Sequence, residues 1–359
     1  MKKVVLAFDS FKGCISAHEA CQAAARGVRA ALPDANIVQI PLSDGGEGLV
    51  ECARRMLPTI NVTVKTHGPL MERLEADYAI SVDGKTAYME MASTSGLTLV
   101  PLELRDPTKT TTYGVGEMIA DAVGRGCKRI VMGIGGSATC DGGRGAIEAL
   151  RDCRCLEMEC EVIVACDVNN PLFGKNGAAY VFAPQKGATH EQVQLLDVQL
   201  RAFAKETELA GFASPELAER PGAGAAGGLG YSLLSYLKAE LRSGIDIMLN
   251  LAHFDDAIKD ADLVITGEGK SDEQTLMGKV PYGVLYHSDE AKVPVWLLSG
   301  GVDDSSGVLS DKFDLVRSIN EDDRRPLSIL MQPEVAKENL STKVRDLFLN
   351  MSVEPTRYP

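Results

Sequence analysis

The sequence predicts an α/β fold of two domains: a doubly wound Rossmann-like domain split in sequence, and a mixed α/β domain inserted into it. Three observations carry this prediction. Short apolar runs that end on polar or Gly-rich loops occur at both ends of the chain, at Val4 to Phe8, Leu263 to Thr266 and Val295 to Leu298. From Ile60 the rhythm changes to alternation, with Gly-Pro and Asp-Gly turn signals, which suits antiparallel strands. A chain of 359 residues is also too long for one ordinary core. The simplest division puts residues 1–60 and 255–359 in the split domain and 61–254 in the insert.

Taken in order, Val4 to Phe8 reads as a buried strand that stops at Asp9-Ser10-Phe11-Lys12-Gly13. Ser16 and Glu19 then form the S-x-x-E capping box of a helix reaching about Ala31, where Pro33 and Asp34 end it. Ile37 to Ile40 is the second strand, and the SDGGEG loop at Ser43 to Gly48 leads into a helix from Glu47 to Leu57. VTVKT, DYAIS and TAYMEM are the alternating strands of the insert, followed by a helix over Gly114 to Val123. Glu161 to Cys166 is another buried strand, Gln192 to Glu206 a helix, and PGAGAAGGLG at Pro221 to Gly230 precedes a helix reaching about Leu241. Ile245 to Ile258 reads as one further helix. Ligands in open parallel sheets bind outside the carboxyl ends of the strands, so Asp9, Asp44, Glu268 and Ser299 are expected to face one crevice.

Composition excludes several classes of function. With 45% hydrophobic residues the chain is globular, and fifty acids against thirty-seven bases, a net charge of -13, argue against a nucleic-acid surface. Lys2 and Lys3 lead directly into a strand-like run, with no leader-type apolar segment, and no run of eighteen apolar residues occurs. No membrane association is expected, and the location is read as cytoplasmic. Nine cysteines, an odd number, fit a reducing compartment.

The most informative stretch is Lys128 to Leu150. A strand, Ile130 to Ile134, empties into a loop carrying five glycines, Ser137, Thr139 and Asp141 before the helix that begins near Ala146. Such a loop exposes backbone N–H groups at a helix N-terminus, where an anion is favoured; it has the outline of a phosphate cradle. Gly222-x-Gly224-x-x-Gly227 matches the dinucleotide pattern, but no strand precedes it, and no P-loop motif occurs, since Gly278-Lys279 is followed by Val280. Cys153, Cys155, Cys160 and Cys166 lack a zinc spacing and read as ordinary thiols, and the histidines are scattered. A phosphoryl-transfer enzyme needs phosphate-binding amides, carboxylates for Mg²⁺, a base and cations; all four occur at strand ends. Lys12, Lys186, Lys270 and Lys279 each lie in or beside a Gly-rich loop.

FDSFKG at Phe8 to Gly13, DGGEG at Asp44 to Gly48, GIGGSAT-x-DGG at Gly133 to Gly143, ACDVNNPL at Ala165 to Leu172, PQKGA at Pro184 to Ala188, PGAGAAGG at Pro221 to Gly228 and GEGKSDEQTLMGKVPYGV at Gly267 to Val284 together resemble the type I glycerate kinases of bacteria. The resemblance spans nearly the whole chain. It implies ATP-dependent phosphorylation of D-glycerate to 2-phosphoglycerate, with Mg²⁺, on a two-domain α/β fold. The family carries roughly forty further residues after the central loop, and it usually has Asn at the position of Cys140 and Arg at that of Lys270.

On this reading the expected phosphate ligands are Gly135, Gly136, Ser137, Thr139, Gly142 and Gly143. Asp167, Glu268 and Asp272 are the expected Mg²⁺ ligands. Lys12 and Lys279 would neutralise the glycerate carboxylate and the transferring phosphoryl group, Asp44 would take the hydroxyl proton, and Ser10, Lys12 and Lys270 would hold substrate. The expected partners are small molecules, D-glycerate and ATP, and assembly into a homo-oligomer stays open. Two alternatives are a kinase of another small hydroxy acid and a degenerate protein that binds a nucleotide or sugar acid without turnover.

Overall fold

The computed structural model describes residues 2–43, 48–157 and 159–351, so Asp44, the expected base, lies outside the described residues. The chain separates into two compact units, Met1–Asp44 with Ile245–Pro359 and Gly45–Gly244. These boundaries lie earlier than residues 60 and 254. At the first of them the reason is the helix Leu49–Met56, which packs on the strands Arg73–Ser81 and Thr86–Glu90 of the second unit.

The first unit is built on five parallel strands in the spatial order Leu315–Ser318, Val295–Ser299, Leu263–Gly267, Lys3–Phe8, Asn36–Gln39. The strands Leu263–Gly267 and Val295–Ser299 are buried throughout, and Lys3–Phe8 from Val4 onward. Strands buried on both faces need continuous rather than alternating apolar residues, which is why their sequences read as unbroken runs. The chain's strand order reverses between Lys3–Phe8 and Leu263–Gly267.

The helix Ala17–Ala31 opens with the capping box expected at Ser16 and Glu19. It packs closely on the helix Pro333–Met351, and Gly27 is required there, because a Cβ would sit 2.3 Å from the Ser341 carbonyl oxygen. Ser16→Ala removes the acceptor for the Glu19 amide and is expected to cost about 1 kcal/mol of stability. Urea unfolding of the variant checks this, and a midpoint equal to that of the parent would contradict it.

The second unit holds a six-stranded mixed sheet in the order Thr59–His67, Arg73–Ser81, Thr86–Glu90, Arg129–Gly133, Glu161–Ala165, Glu240–Arg242. The first two pairings are antiparallel and the remaining three parallel. Its last strand replaces the expected end of a helix, because the helix Ala225–Tyr236 stops early and Lys238 adopts a left-handed conformation before the chain extends. The single helix expected over Ile245 to Ile258 is two, Gly244–Leu251 and Phe254–Ile258. His253 separates them at φ 49°, and Phe254 beyond it is fully buried. Among the described residues no helix is long and apolar enough to cross a membrane.

Candidate active site

In the first unit the carboxyl ends of the parallel strands gather the polar residues. The strand Lys3–Phe8 runs in register with Leu263–Gly267, pairing Phe8 with Gly267, so Asp9 and Glu268 emerge side by side. The Asp9 amide donates to the Gly267 carbonyl at 3.0 Å. Gly267 has no alternative here, since a Cβ would lie 1.8 Å from the Leu298 carbonyl oxygen. Both carboxylates are buried, Asp9 at 6% and Glu268 at 7% exposure, and a buried carboxylate demands partners.

Glu268 is held from two sides. Its Oε1 accepts from the hydroxyls of Thr275 at 2.6 Å and Ser271 at 3.1 Å. The Ser271 hydroxyl in turn meets that of Ser299 at 2.7 Å, and Ser299 Oγ accepts from the Glu268 amide at 3.2 Å. This network fixes the side chain and leaves Oε2 facing the Lys279 ammonium at 3.5 Å. Lys279 sits at the N-cap of the helix Val280–Ala291. Asp272 caps the short 3-10 helix Glu273–Leu276, accepting from the Gln274 amide, and its other oxygen lies 3.7 Å from Lys270 Nζ.

A cavity of about 560 Å³ has Asp9, Ser10, Lys12, Glu268, Lys270 and Lys279 in its lining. Val302, Ile319, Leu327, Leu330 and Met331 contribute apolar side chains to the same lining. Ser10 donates its amide to Asp9 Oδ1 at 2.6 Å. Asp9 joins this group without having been expected as a ligand or a catalytic residue. The signal that marks it is a carboxylate placed where a buried strand ends.

Of the expected Mg²⁺ set, Glu268 and Asp272 belong to the first unit and Asp167 to the second. Asp167 belongs to the second unit, is exposed, and accepts from the Gly244 amide at 3.0 Å. Asp272 is a helix cap, which leaves Glu268 of the three as a buried carboxylate on the cavity wall. Among the described residues no group of three or more His, Cys, Asp or Glu is close enough to hold a metal ion.

In the second unit the Gly-rich loop after Arg129–Gly133 uses much of its hydrogen-bonding capacity internally. The Gly142 amide donates to the Gly227 carbonyl at 3.0 Å and the Gly143 amide to Asp141 Oδ1 at 3.0 Å, so neither is available to a phosphate. Asp141 Oδ2 also accepts from the Thr112 amide and hydroxyl and from the Gly145 amide. Thr139 is fully buried, and Ser137 Oγ accepts from Lys186 Nζ at 2.7 Å. Of the six expected phosphate ligands, Gly136 is exposed, Gly135 half-buried and the other four buried.

The glycines answer to packing. A Cβ on Gly227 would lie 2.0 Å from the Thr139 carbonyl oxygen, and one on Gly228 2.8 Å from Gly142 Cα, so the second Gly-rich stretch interlocks with the first. Ala226, Gly227 and Gly228 all adopt positive φ there. The PQKGA motif supplies the clamp: buried Lys186 donates to Ser137 Oγ and to the Thr139 carbonyl, both at 2.7 Å. Burial pulls its pKa down from the usual lysine range to about 8, with Cys140 and Asp141 pulling the other way. Cys140 is buried beside it, and burial pushes its thiol up to about 11.

Known proteins resemble the chain along its whole length. The model of the glycerate kinase family matches residues 4–159 and 151–351, in two pieces that meet at the short connection after the helix Arg144–Asp152. A glycerate kinase of Halalkalibacterium halodurans is 42% identical over 331 residues, covering 84% of this chain and 86% of that one. The glycerate 2-kinase of Escherichia coli K12 is 41% identical, covering 86% and 87%. A glycerate kinase of Bacillus subtilis 168 is 39% identical and covers 99% of each; that alignment spans 388 positions against 359 residues here, so the relative carries residues this chain lacks. A crystal structure assigned to glycerate kinase 2 of Salmonella typhimurium LT2 superposes with a TM-score of 0.83 at 37% identity, covering 98% of both chains.

Proposed function

Because the chain belongs to the glycerate kinase family, it is a kinase of glycerate, and we propose that it transfers the γ-phosphoryl group of ATP to the 2-hydroxyl of D-glycerate. The observation that carries the proposal is the charged lining of the first unit's cavity, which holds the buried carboxylates of Asp9 and Glu268 together with Lys12, Lys270 and Lys279. The E. coli relative, a glycerate 2-kinase, supports the choice of hydroxyl. In the reaction the bond from the β,γ-bridging oxygen to the γ-phosphorus breaks and a bond from the substrate hydroxyl oxygen to that phosphorus forms. ADP leaves with the bridging oxygen, and the hydroxyl proton passes to a carboxylate.

Lys12 and Lys279 stabilise the charge on the phosphoryl oxygens, and Ser10 and Lys270 hold the glycerate carboxylate. Asp44 takes the hydroxyl proton; its place in the DGGEG motif supports this role. Mg²⁺ takes hard oxygen donors, and Asp9 and Glu268 would hold it; when bound it neutralises phosphate charge.

The type I branch is assigned on the seven motifs. The first unit is read as a doubly wound Rossmann-like domain split around an inserted mixed α/β domain, supported by its five parallel strands and their single order reversal. The free state of all nine cysteines supports a cytoplasmic location.

The test is ADP formation by purified protein with Mg²⁺-ATP across a panel of hydroxy acids, with the product's phosphate position read by ³¹P NMR. Turnover on D-glycerate with phosphate on the 2-oxygen is the expected result. Turnover on another acid alone would reassign the substrate, and no turnover on any acid would favour a binding protein.

A further inference from the structure

We propose that the first unit's cavity is the nucleotide site, with the base lying on the apolar wall of Ile319, Leu327, Leu330 and Met331 and the phosphates reaching Lys12 and Lys279. The inference rests on the kinase reading and locates one of its two substrates. A cavity of about 560 Å³ falls within the range of about 300–1,000 Å³ typical of cofactor and small-molecule sites. Every carbon of glycerate carries oxygen, so that molecule has no apolar face to bury. A nucleoside triphosphate has one apolar end and one anionic end, and the cavity lining supplies both apolar side chains and lysines.

Three further observations support the assignment. Leu327 is 69% exposed and Met331 41%, so two large apolar side chains stand open to solvent in a cavity lining that also carries three lysines. Met is a pliable thioether that packs well against aromatic rings. The cavity also lies at the carboxyl ends of Lys3–Phe8 and Leu263–Gly267, where the strand order reverses, the place at which open parallel sheets bind their ligands. The competing location, the Gly-rich loop of the second unit, has given the amides of Gly142 and Gly143 to Gly227 and Asp141.

The experiment is calorimetric titration of the full-length protein with ADP, comparing the parent with the double variant Leu327→Asn, Met331→Asn. Both positions are exposed and the new side chains are uncharged, so folding and the field at the lysines are little changed. The double variant is expected to bind ADP about tenfold more weakly, while KM for glycerate stays within about twofold and Met331→Leu alone binds as the parent does. ADP affinity in the double variant within about twofold of the parent overturns the assignment, as does a parent that binds no ADP. Failure of the kinase reading looks different: the parent binds ADP, wall variants weaken it, and no hydroxy acid is phosphorylated.

Discussion

Glu268→Gln lowers kcat with glycerate by about 10²–10³-fold, the loss typical when one preorganised group at a reacting centre is removed, while the melting temperature stays close to that of the parent. The amide has the shape of the carboxylate and can still accept from Thr275 and Ser271, so the buried network keeps its members. What changes is the end that faces Lys279: an oxygen 3.5 Å from an ammonium becomes an amide donor, or the side chain flips and leaves the two hydroxyls facing N–H groups. Either way the carboxylate charge disappears from the cavity wall. A coupled ADP assay alongside a thermal melt separates the outcomes. Turnover within threefold of the parent removes Glu268 from the reaction, and a parallel collapse of the melt makes its role structural.

Lys186 gives the protein a pH-dependent stability. Its ammonium is buried with neutral oxygens as hydrogen-bond acceptors, Ser137 Oγ and the Thr139 carbonyl, so its pKa falls to about 8 in the folded chain against an ordinary value of 10.5. Below pH 8 both states hold the proton, and the cost of burying the charge is constant. Between pH 8 and 10.5 the unfolded chain keeps a proton that the folded chain has released, so stability rises with pH. Each pH step of one across this window adds about 1.4 kcal/mol, which gives a rise of about 2 kcal/mol between pH 8 and 9.5. Other groups titrate in this window too. The quantity to measure is therefore the difference in urea-unfolding free energy between parent and Lys186→Met at the two pH values. Parallel profiles would mean that Lys186 is not the titrating group.

Local chemistry was the part of this protein open to reading from sequence. Ser16 and Glu19 lie three residues apart, and their reciprocal bonds form as that spacing requires. Asp9 and Glu268 follow buried parallel strands and Ser299 ends one, and a polar residue at that point belongs to the carboxyl-end face. The partners of the Gly-rich loop could not be read this way. Glycine's freedom of φ and its permission for close backbone approach look the same in a sequence, and here the second governs: Gly142 and Gly143 serve contacts with Gly227 and Ser232, about ninety residues further on. The lysine of PQKGA was visible beside a Gly-rich segment, but its burial and its bonds to Ser137 and Thr139 depend on tertiary packing. The first unit boundary lies before residue 60 for a similar reason, because nothing in the helix Leu49–Met56 says which sheet it will cover.

The interlocked glycine loops also bear on the order in which the second unit is made. Ser232 Oγ bonds the Gly142 carbonyl across 90 positions of chain, and the Gly142 amide bonds Gly227. During synthesis, at about 5–20 residues per second, the first loop leaves the ribosome seconds before its counterpart exists. The contacts that immobilise it are long-range, and closing so large a loop must precede any gain from them, so they belong to the late, slow part of folding. A nascent chain halted before residue 227 would display the loop's sequence without its shape.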